Sequence, residues 1–566
     1  MNCYPDYPGR KTLSLDGFWD FYLAEGVDWN STQAENDRFN DLMSVPGAFD
    51  CSPEYYCKRG TAFYRRFFTL EKDCPDALLR LGGIGLRGRF LINDREIGRT
   101  ELAYSGVEFQ TGALSAGSHE LVAIIDNQFE DGNSQLFYPY YDFYAFGGLY
   151  RSIELQILPA SYWIERVQVR TLDYREGKVS LNFKFGGQVP ETMTVGLRFD
   201  TESMKREISL AVTDTVGELE TIVPDFKLWS PESPALHTLT VKTGDDAIVE
   251  QFGIREIATK GNTLRLNGKV LYLKGFNRHE SHPQSGPASP ESLMIEDLQN
   301  LKRLNCNFVR GCHYPQDQRF LELCDRAGML VWEESLGWGN IEAQMADPVF
   351  MQRQEEQTRL MVRNSINHPS IIIWGFMNEF HSETGTGKEL CRRLINAVKE
   401  EDNSRIVTFA CNHTSDDICY DLVDIISFNT YPGWIDVNEQ DEPTDAIKPE
   451  LEKILAYFRE RLGGKDKPII ISEMGTCAVY GQHDLAAAQW TEEFQAEYLA
   501  EVIRSALSFD DICGITIWQM NDAKSYLRKG ANIRCKPFAQ NLAGVFDQYR
   551  RPKLAATTVK NMFGSK

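Results

Sequence analysis

The chain has 566 residues and a formal net charge of −21, with 42% hydrophobic and 25% charged residues. This composition is typical of a globular protein, and the length predicts roughly two to four domains. The acidic balance argues against nucleic acid and against an anionic membrane surface as partners.

The N-terminal sequence MNCYPDYPGRKTLSLDG lacks the basic start and apolar centre of a signal peptide. No apolar run approaches the roughly 20 residues that a membrane span requires. The 13 cysteines are scattered without CxxC pairs. We therefore expect reduced, mostly buried thiols in a cytoplasmic protein, and we interpret Cys312, which lies near the predicted chemistry, as a packing residue.

The first two-fifths of the chain has the texture of β-sandwich domains. Residues 1–160 contain stretches such as TAFYRRFFTL and HELVAIIDN, rich in β-branched and aromatic residues and separated by Gly, Asn and Asp. A second strand-rich block, 161–257, includes VSLNFKF and LHTLTVKT and has the length of one immunoglobulin-like sandwich. Two successive β-sandwiches are therefore predicted.

The remaining residues, 258–566, change to apolar runs that alternate with amphipathic helical stretches. The eight runs are Leu271–Phe276, Asn307–Gly311, Met329–Trp332, Ile371–Phe376, Ile406–Ala410, Ile425–Phe428, Ile469–Ile471 and Ile515–Trp518. Apolar strands alternating with helices predict a parallel sheet covered on both faces, and eight such units fit a (β/α)8 barrel. The alternative, a doubly wound sheet, should carry a Gly-rich phosphate loop after an early strand, and the sequence shows none.

Polar residues just past the strands of such a barrel face its active site. Asn378 and Glu379 follow the fourth run, and Glu473 follows the seventh. A retaining glycosidase needs two carboxyl groups about 5–5.5 Å apart, one protonated to release the leaving group and one ionised to attack. One such Glu alone is more simply a structural carboxylate, but the pair predicts this chemistry, with Asn378 able to bind the sugar 2-hydroxyl.

The same reasoning places further polar side chains at the barrel mouth. They are Arg310, Cys312, His313 and Tyr314 after the second run, Glu333 and Glu334 after the third, Asn429 and Tyr431 after the sixth, and Trp518, Asn521 and Asp522 at and beyond the end of the eighth.

The motifs WGFMNE and IISEMG resemble the acid/base and nucleophile motifs of glycoside hydrolase family 2, which includes β-glucuronidases, β-galactosidases, β-mannosidases and β-galacturonidases. Other segments resemble signatures of that family in the same order along the chain: LSLDGFWDFYL, YYDFYAFGGLYRSIEL, LWSPESPALHTL, LNGKVLYLKGFNRHE, NFVRGCHYPQD and NHPSIIIW. The resemblance spans essentially the whole chain. It implies a multidomain fold of an N-terminal jelly-roll β-sandwich, an immunoglobulin-like β-sandwich and a C-terminal (β/α)8 TIM barrel. It also implies a carbohydrate substrate, no cofactor, and a homo-oligomer (dimer or tetramer).

Carried over position by position, the resemblance implies Glu379 as acid/base and Glu473 as nucleophile. Asn378 would bind the 2-hydroxyl, and Asp142 and His313 would contact the terminal sugar.

Arg310, Tyr431 and Trp518 would shape the nucleophile pocket. Simpler interpretations remain open for several of these residues. Asp142 could be an interdomain hydrogen-bond partner, His313 a packed barrel residue, Trp518 part of the core, and Tyr431 a residue without substrate contact. His279 and Glu280 are interpreted as structural.

The resemblance leaves the sugar open. β-Glucuronidases of the family carry an Asn-x-Lys pair that holds the sugar carboxylate; here Asn541 is retained, but Ala543 occupies the Lys position. The preceding stretch SYLRKGANIRCKPF is basic, and we expect Arg534 first and Lys536 second to replace that lysine, because an Arg can bind a carboxylate bidentately. Ile435 stands where many glucuronidases have a second Tyr.

These departures favour a β-galacturonide as substrate, with a β-glucuronide as an alternative. If the basic stretch is only a solvated loop, a neutral β-galactoside becomes the expected substrate. A non-catalytic carbohydrate-binding protein would be expected to have lost one carboxylate, and both are present.

A metal-dependent hydrolase is a third class. His313, Glu379 and His381 could be imagined as ligands, yet no HxH or HExxH spacing occurs, and no metal site is predicted. Some β-galactosidases of the family use Mg²⁺ near the acid/base, which leaves His381 open as a ligand.

Overall fold

A computed structural model describes residues 4–129, 143–203, 205–434, 442–526 and 536–564. Its N-terminal part is a β-sandwich of two antiparallel sheets. In spatial order, the larger sheet contains Asp41–Val45, Gly17–Ala24, Thr61–Leu70, Gly117–Asp126, Arg87–Ile92 and Arg95–Thr100, and the smaller contains Thr12–Ser14, Ile153–Ile157, Ala77–Leu81 and Val107–Gln110. Side chains such as Phe21, Tyr64, Leu79 and Ile125 fill the space between the sheets.

A second sandwich follows, also built from antiparallel sheets. One sheet contains Tyr162–Asp173, Lys178–Gly187 and Val216–Ile222, and the other contains Arg206–Ala211, Thr192–Phe199, His237–Thr243 and Asp246–Phe252. Burial alternates along Lys178–Gly187, so that Val179, Leu181 and Phe183 face the core while the residues between them are partly exposed. This period of two is the pattern of a sheet with one covered face.

The C-terminal part is an eight-stranded parallel barrel. Its strands, in chain order, are Leu273–Arg278, Phe308–Gly311, Leu330–Trp338, Ile371–Asn378, Ile406–Thr408, Ile426–Asn429, Ile469–Met474 and Ile512–Ile517. The first strand pairs with the second and the eighth, and a parallel bridge between Cys411 and Phe428 joins the ends of the fifth and sixth. The sheet therefore closes on itself, which rules out the doubly wound alternative.

Eight helices surround or cap the barrel within the described ranges: Glu291–Arg303, Gln318–Ala327, Glu342–Met345, Pro348–Ser365, Gly385–Glu401, Ile447–Leu462, Glu492–Ala506 and Leu554–Gly564. Several begin at a residue whose side chain accepts a hydrogen bond from a free backbone N–H of the first turn, as Asp317, Thr384 and Thr491 do. Gly328 ends the second helix in the left-handed conformation that glycine favours.

Short elements complete the described chain. The small sheets are Trp229–Ser230 with Ser233–Pro234, Ile257–Lys260 with Thr263–Leu266 and Lys269–Leu271, and Ala523–Lys524 with Gln540–Asn541; the 3-10 turns are Asn36–Arg38, Phe49–Cys51, Pro53–Tyr55, Pro443–Ala446 and Pro537–Ala539.

A buried arginine joins the N-terminal sandwich to the barrel. Arg151 Nη2 donates to Glu280 Oε2 at 2.9 Å and to the carbonyl of Pro315 at 2.7 Å. Glu280 also accepts from the backbone N–H of Asp317 at 2.8 Å. These contacts hold the loop after the second barrel strand, which carries His313, against the sandwich, and they give Glu280 the structural role that the sequence predicts.

The predicted fold class, sandwich sheets followed by a C-terminal barrel, is confirmed. All eight apolar runs are barrel strands, although several boundaries move. No helix in the described ranges has the length and apolar character needed to cross a bilayer.

Candidate active site

Two glutamates emerge from barrel strands at the same end of the barrel. Glu379 directly follows the fourth strand, and Glu473 is the penultimate residue of the seventh. Glu379 has a φ of 52°, and its N–H donates to the carbonyl of Ala410 at 2.9 Å, so the chain turns sharply where the strand ends. The Glu473 residue is only 3% exposed.

The Glu473 carboxylate is held by two donors. Arg310 Nη1 donates to Oε1 at 2.6 Å, and the Tyr431 hydroxyl donates to Oε2 at 2.5 Å. Burial raises the pKa of Glu473, while Arg310 and Tyr431 oppose that rise because both stabilise the ionised form. The carboxylate is thus fixed in orientation, and its two donors limit the rise in pKa that burial causes.

Glu379 is placed in a different electrostatic setting. Burial, and next the negative charge of Glu473, raise its pKa to about 8. One hydrogen bond acts against this shift, from Asn429 Nδ2 to Glu379 Oε1 at 2.8 Å. Glu473 is thus held by a guanidinium and a phenol, whereas Glu379 has one amide donor, and such a difference in environment is what separates an acid from a nucleophile.

Arg310 is the centre of the polar network beneath the two glutamates. Its guanidinium makes three contacts of 2.9–3.1 Å with the two oxygens of Glu334. It also donates to Asn277 Oδ1 at 3.0 Å and to Asn378 Oδ1 at 2.8 Å. Arg310 and Glu334 are fully buried, so they form a charged floor that is paired rather than solvated.

The side-chain amide of Asn378 has its oxygen hydrogen-bonded and its nitrogen unpaired among the described residues. Its Oδ1 accepts from Arg310 at 2.8 Å and from Asn429 at 3.2 Å. Its Nδ2 is buried and has no hydrogen-bond partner among the described residues. A fixed donor of this kind beside Glu379 suits a substrate hydroxyl, since an unmatched buried N–H costs free energy until it is paired.

His313 and Trp518 line the adjoining wall. Their rings stack at 5.5 Å between centroids with an interplanar angle of 14°. His313 Nδ1 lies 3.1 Å from Glu334 Oε1, whereas Nε2 is buried without a hydrogen-bond partner in the described part of the chain. Burial, and then Arg310, lower the pKa of His313 well below its ordinary value, so the ring is neutral.

The segment after the eighth strand carries the position of the missing lysine. Ala543 is fully buried in an apolar cluster that also contains Trp518 and Leu542. Its backbone N–H donates to Asn541 Oδ1 at 3.2 Å. Lys536 is the first residue that the structure describes after the gap at 527–535, and burial lowers the pKa of its ammonium to about 7.

Three predicted positions lie outside the described residues, so the structure does not place them: Asp142, Arg534 and Ile435. Of the other predicted residues, the structure brings together Glu379, Glu473, Asn378, Arg310, Tyr431, His313 and Trp518. His279, interpreted as structural from the sequence, has its ring 5.3 Å from that of His313 and 5.4 Å from that of Trp518, between centroids.

Two groups of residues come into question as metal ligands: His381 near the barrel mouth, and a buried group that includes His313. His381 has a 41% exposed side chain, and its Nδ1 lies 3.3 Å from Glu383 Oε1. Within the described ranges, the group whose ligand atoms lie close enough for one metal ion is instead His279, Cys312 and His313.

Four supporting residues were not given a role by sequence reasoning: Asn277, Glu334, Asn429 and Ser472. Glu334 and Asn429 were noted only as strand-end residues. Asn429 links both sides of the site, because its Nδ2 donates to Glu379 while its Oδ1 accepts from Ser472 at 2.7 Å. The available signal was their position one or two residues past the ends of the first, third, sixth and seventh apolar runs.

Two models of one enzyme family match most of the chain. "Glycosyl hydrolases family 2, TIM barrel domain" matches residues 257–565, and "Glycosyl hydrolases family 2" matches residues 163–255.

Individual glycosidases are also similar to this chain in sequence and structure. A β-galactosidase of Oenococcus oeni is 29% identical over 71% of this chain and 43% of its own length, and a β-glucuronidase of Rattus norvegicus is 30% identical over 75% and 64%. The matched regions thus span less than two-thirds of either relative. The structure of a β-galacturonidase from Eisenbergiella tayi, described as bound to galacturonate, superposes with a TM-score of 0.89 at 30% identity and covers 100% of this chain and 99% of that one.

Proposed function

The chain belongs to glycoside hydrolase family 2, and from this premise we propose that it is a retaining exo-β-glycosidase that removes terminal β-linked hexuronic acids. The observation that carries the mechanism is the contrast between Glu379 and Glu473. Burial and the charge of Glu473 raise the pKa of Glu379 to about 8, while Glu473 is fixed as an acceptor by Arg310 and Tyr431.

The first step forms a covalent intermediate. A Glu473 oxygen attacks the anomeric carbon as the bond to the leaving oxygen breaks, and Glu379 transfers its proton to that oxygen. The aglycone leaves as a neutral alcohol. The negative charge of Glu473 is lost in the ester, so the second cause of the high pKa of Glu379, after burial, also disappears.

The second step regenerates the enzyme. Glu379, now ionised, takes a proton from water as the water oxygen attacks the anomeric carbon and the bond to Glu473 breaks. Two inversions at one carbon restore the original configuration. Both glutamates end in their starting protonation states.

The neighbouring side chains support this sequence of events. The unmatched Nδ2 of Asn378 is the donor that we assign to the sugar 2-hydroxyl, and the free Nε2 of His313 is assigned to another hydroxyl of the same sugar. The Trp518 indole supplies an apolar wall beside that imidazole. Asp142 is proposed as a further sugar contact on the resemblance alone.

For the sugar we propose a β-galacturonide, with a β-glucuronide as the alternative uronide. Arg534 and, second, Lys536 are proposed to bind the carboxylate in place of the lysine that Ala543 replaces, and Asn541 is proposed to assist. Burial lowers the pKa of the Lys536 ammonium to about 7, and a substrate carboxylate beside it would favour the charged form again. The similarity to the galacturonate-bound E. tayi enzyme supports the same choice.

A neutral β-galactoside is the second candidate. Ala543 favours it, because this position offers a methyl group in an apolar cluster where a glucuronidase of the family has a cation. The match to the O. oeni β-galactosidase is consistent with that reading.

We also propose domain boundaries, an oligomeric state and a cellular location. The domains are 1–160, a sugar-binding jelly roll, 161–257, an immunoglobulin-like sandwich, and 258–566, the catalytic barrel. The protein is proposed to be a homo-oligomer, either a dimer or a tetramer. A cytoplasmic location is proposed because nine of the eleven cysteines in the described ranges are buried free thiols.

We expect p-nitrophenyl β-galacturonide to be hydrolysed with a higher kcat/KM than the β-glucuronide, and the β-galactoside to be the poorest of the three. Arg534→Ala should then lower kcat/KM for the uronides by about 10- to 100-fold, since a hydrogen-bonded ion pair is worth about 1.5–3 kcal/mol, and should leave the galactoside rate nearly unchanged. Lys536→Ala should have the smaller effect of the same kind.

Arg528→Ala, from the same basic stretch, is the matched control. Preference for the neutral galactoside in the parent protein would refute the uronide proposal. If Arg534→Ala and Lys536→Ala change kcat/KM for the uronides no more than Arg528→Ala does, this basic stretch does not bind the sugar carboxylate.

The pH dependence of kcat/KM is expected to be bell-shaped. Activity should fall above about pH 8, because Glu379 must carry a proton in the free enzyme, and should fall at low pH as Glu473 is protonated. Tyr431→Phe removes a hydrogen bond that stabilises the Glu473 anion, so the acidic limb should move to higher pH and the maximum should drop by about 10- to 100-fold.

Tyr498→Phe is the control for this measurement, because its buried hydroxyl bonds to the carbonyl of Pro432 and not to a carboxylate. It should leave the acidic limb in place. An acidic limb that stays in place in Tyr431→Phe as well would contradict the role assigned to this hydroxyl.

A further inference from the structure

Three potential metal ligands meet beside the catalytic pair. His279 follows the first barrel strand, and Cys312 and His313 follow the second. One ligand atom from each lies within 4.8 Å of the other two, and all three residues are buried. Glycosidic chemistry uses no thiol, so the mechanism above gives Cys312 no task.

Both imidazoles have one nitrogen engaged and one open. His279 Nδ1 lies 3.3 Å from the Tyr314 hydroxyl, and His313 Nδ1 lies 3.1 Å from Glu334 Oε1. The Nε2 atoms of both rings are buried without a hydrogen-bond partner in the described ranges. An imidazole whose far nitrogen is fixed by a polar neighbour is oriented as metal-binding histidines are.

The donor set and the local charge determine which ion fits. Two imidazole nitrogens and one thiolate suit a soft or borderline cation such as Cd²⁺ or Zn²⁺, whereas Mg²⁺ prefers oxygen ligands. Arg310 faces the two carboxylates of Glu334 and Glu473, which leaves this buried group of charges with an excess of one negative charge. This excess of negative charge partly offsets the repulsion that Arg310 and Arg278 exert on a cation bound at the two imidazoles.

We propose that His279, Cys312 and His313 form an inhibitory site for a soft or borderline divalent cation. Binding forms two metal–nitrogen bonds and one metal–sulfur bond, the thiol proton leaves to solvent, and nothing is oxidised or reduced. With its Nε2 bound to the metal, His313 can no longer accept a hydrogen bond from a sugar hydroxyl, so the metal and the substrate exclude each other. Binding follows from the geometry alone, and only the inhibition rests on the proposed function.

The binding test uses Co²⁺ as a spectroscopic probe of thiolate coordination. All proteins carry Cys57→Ser, because Cys57 is exposed and its thiol would bind metal independently. The parent protein should bind one Co²⁺ with a sulfur-to-cobalt charge-transfer band in the near ultraviolet. Titration calorimetry of Cd²⁺ in buffers of different ionisation enthalpy should show proton release, which adding Cys312→Ser removes together with the cobalt band.

Cys477→Ser is the matched control, since Cys477 lies buried in the same apolar cluster as Cys312 but outside the triad. It should keep the cobalt band. If Cys312→Ser lowers the melting temperature so far that the protein does not fold, Cys312→Ala replaces it. A cobalt band that survives loss of Cys312, or the absence of a band in the parent protein, overturns the proposal.

The inhibition test follows hydrolysis of the best glycoside at increasing Cd²⁺. Cd²⁺ should raise KM without lowering kcat, and EDTA should restore the rate. Cys312→Ser should keep the basal activity and weaken inhibition by at least about tenfold, because metal sites commonly lose 10- to 100-fold in affinity even when a supporting residue is removed. Equal inhibition of parent and variant overturns the proposal. If no glycoside is hydrolysed, the proposed function fails while the cobalt and calorimetric tests still decide the metal site.

Discussion

Glu473→Gln is expected to lower kcat by at least about 10⁴-fold, because removing a nucleophile disables the catalytic unit as a whole. The amide keeps the shape of the side chain but cannot form the glycosyl ester. Arg310 also loses one of its two carboxylate partners. The measurement is steady-state hydrolysis of the preferred aryl glycoside by protein whose melting temperature shows that it is folded.

The stereochemistry of rescue distinguishes a nucleophile from a residue that only supports the fold. Glu473→Gly should accept azide in the vacated space and release the α-glycosyl azide, since a single displacement inverts the anomeric carbon. Glu333→Gln is the matched control: Glu333 is buried on the third strand and bonds to Ser365 at 3.2 Å, away from the network of Arg310. Near-normal turnover by Glu473→Gln, or an inverted first product from the parent protein, would refute the retaining mechanism.

Glu379→Gln should lower kcat/KM by about 10²- to 10⁴-fold for glycosides with poor leaving groups, the usual contribution of a general acid. The loss should shrink for dinitrophenyl glycosides, whose leaving group needs no proton. Turnover of these substrates should then be limited by the second step, so KM falls as the covalent intermediate accumulates. The decline in rate above about pH 8 should disappear, because Glu379 is its origin.

Azide supplies a second criterion for Glu379. Glu379→Ala should be reactivated by azide and should yield the β-glycosyl azide, the opposite anomer from the Glu473→Gly product. Glu383→Gln is the control, since Glu383 is partly buried nearby and pairs with His381 and His413. An equal loss for good and poor leaving groups would show that Glu379 is not the acid.

The fold was largely predictable because a barrel strand is covered on both faces and therefore reads as an apolar run. The errors have the same cause. The third run ends at Trp332 in the sequence, but the strand continues to Trp338, because the barrel buries Glu334 against Arg310 and Glu333 against the Ser365 hydroxyl. The fifth run extends to Ala410, yet the strand ends at Thr408.

The structure brings together most of the residues that the sequence proposes for the site, but their contacts could not be predicted. Strand-end reasoning and motif resemblance located Glu379 and Glu473. The contact of Arg310 with Glu473 joins residues 163 positions apart and depends on side-chain conformations that no local pattern encodes. The bridging role of Asn429 was hidden for the same reason.

The part of the site proposed to bind the sugar carboxylate was the least predictable from the sequence. The absence of a lysine at 543 is plain in the sequence, but its physical setting is not. Ala543 is fully buried against Leu542 and Trp518, so a lysine restored there would have to place its charge among apolar side chains or displace them.

The Arg310 network also bears on how such an enzyme can diversify. The guanidinium lies on the second strand and bonds to side chains of the first, third, fourth and seventh, so five of the eight strands meet at one cation. The position of Glu473 is therefore set by the strands, and Glu379, one residue past its strand, is held by Asn429 at the end of the sixth. Substrate-binding loops can therefore change in length or charge while the catalytic residues keep their positions. New sugar specificities can then evolve without a change in the catalytic residues.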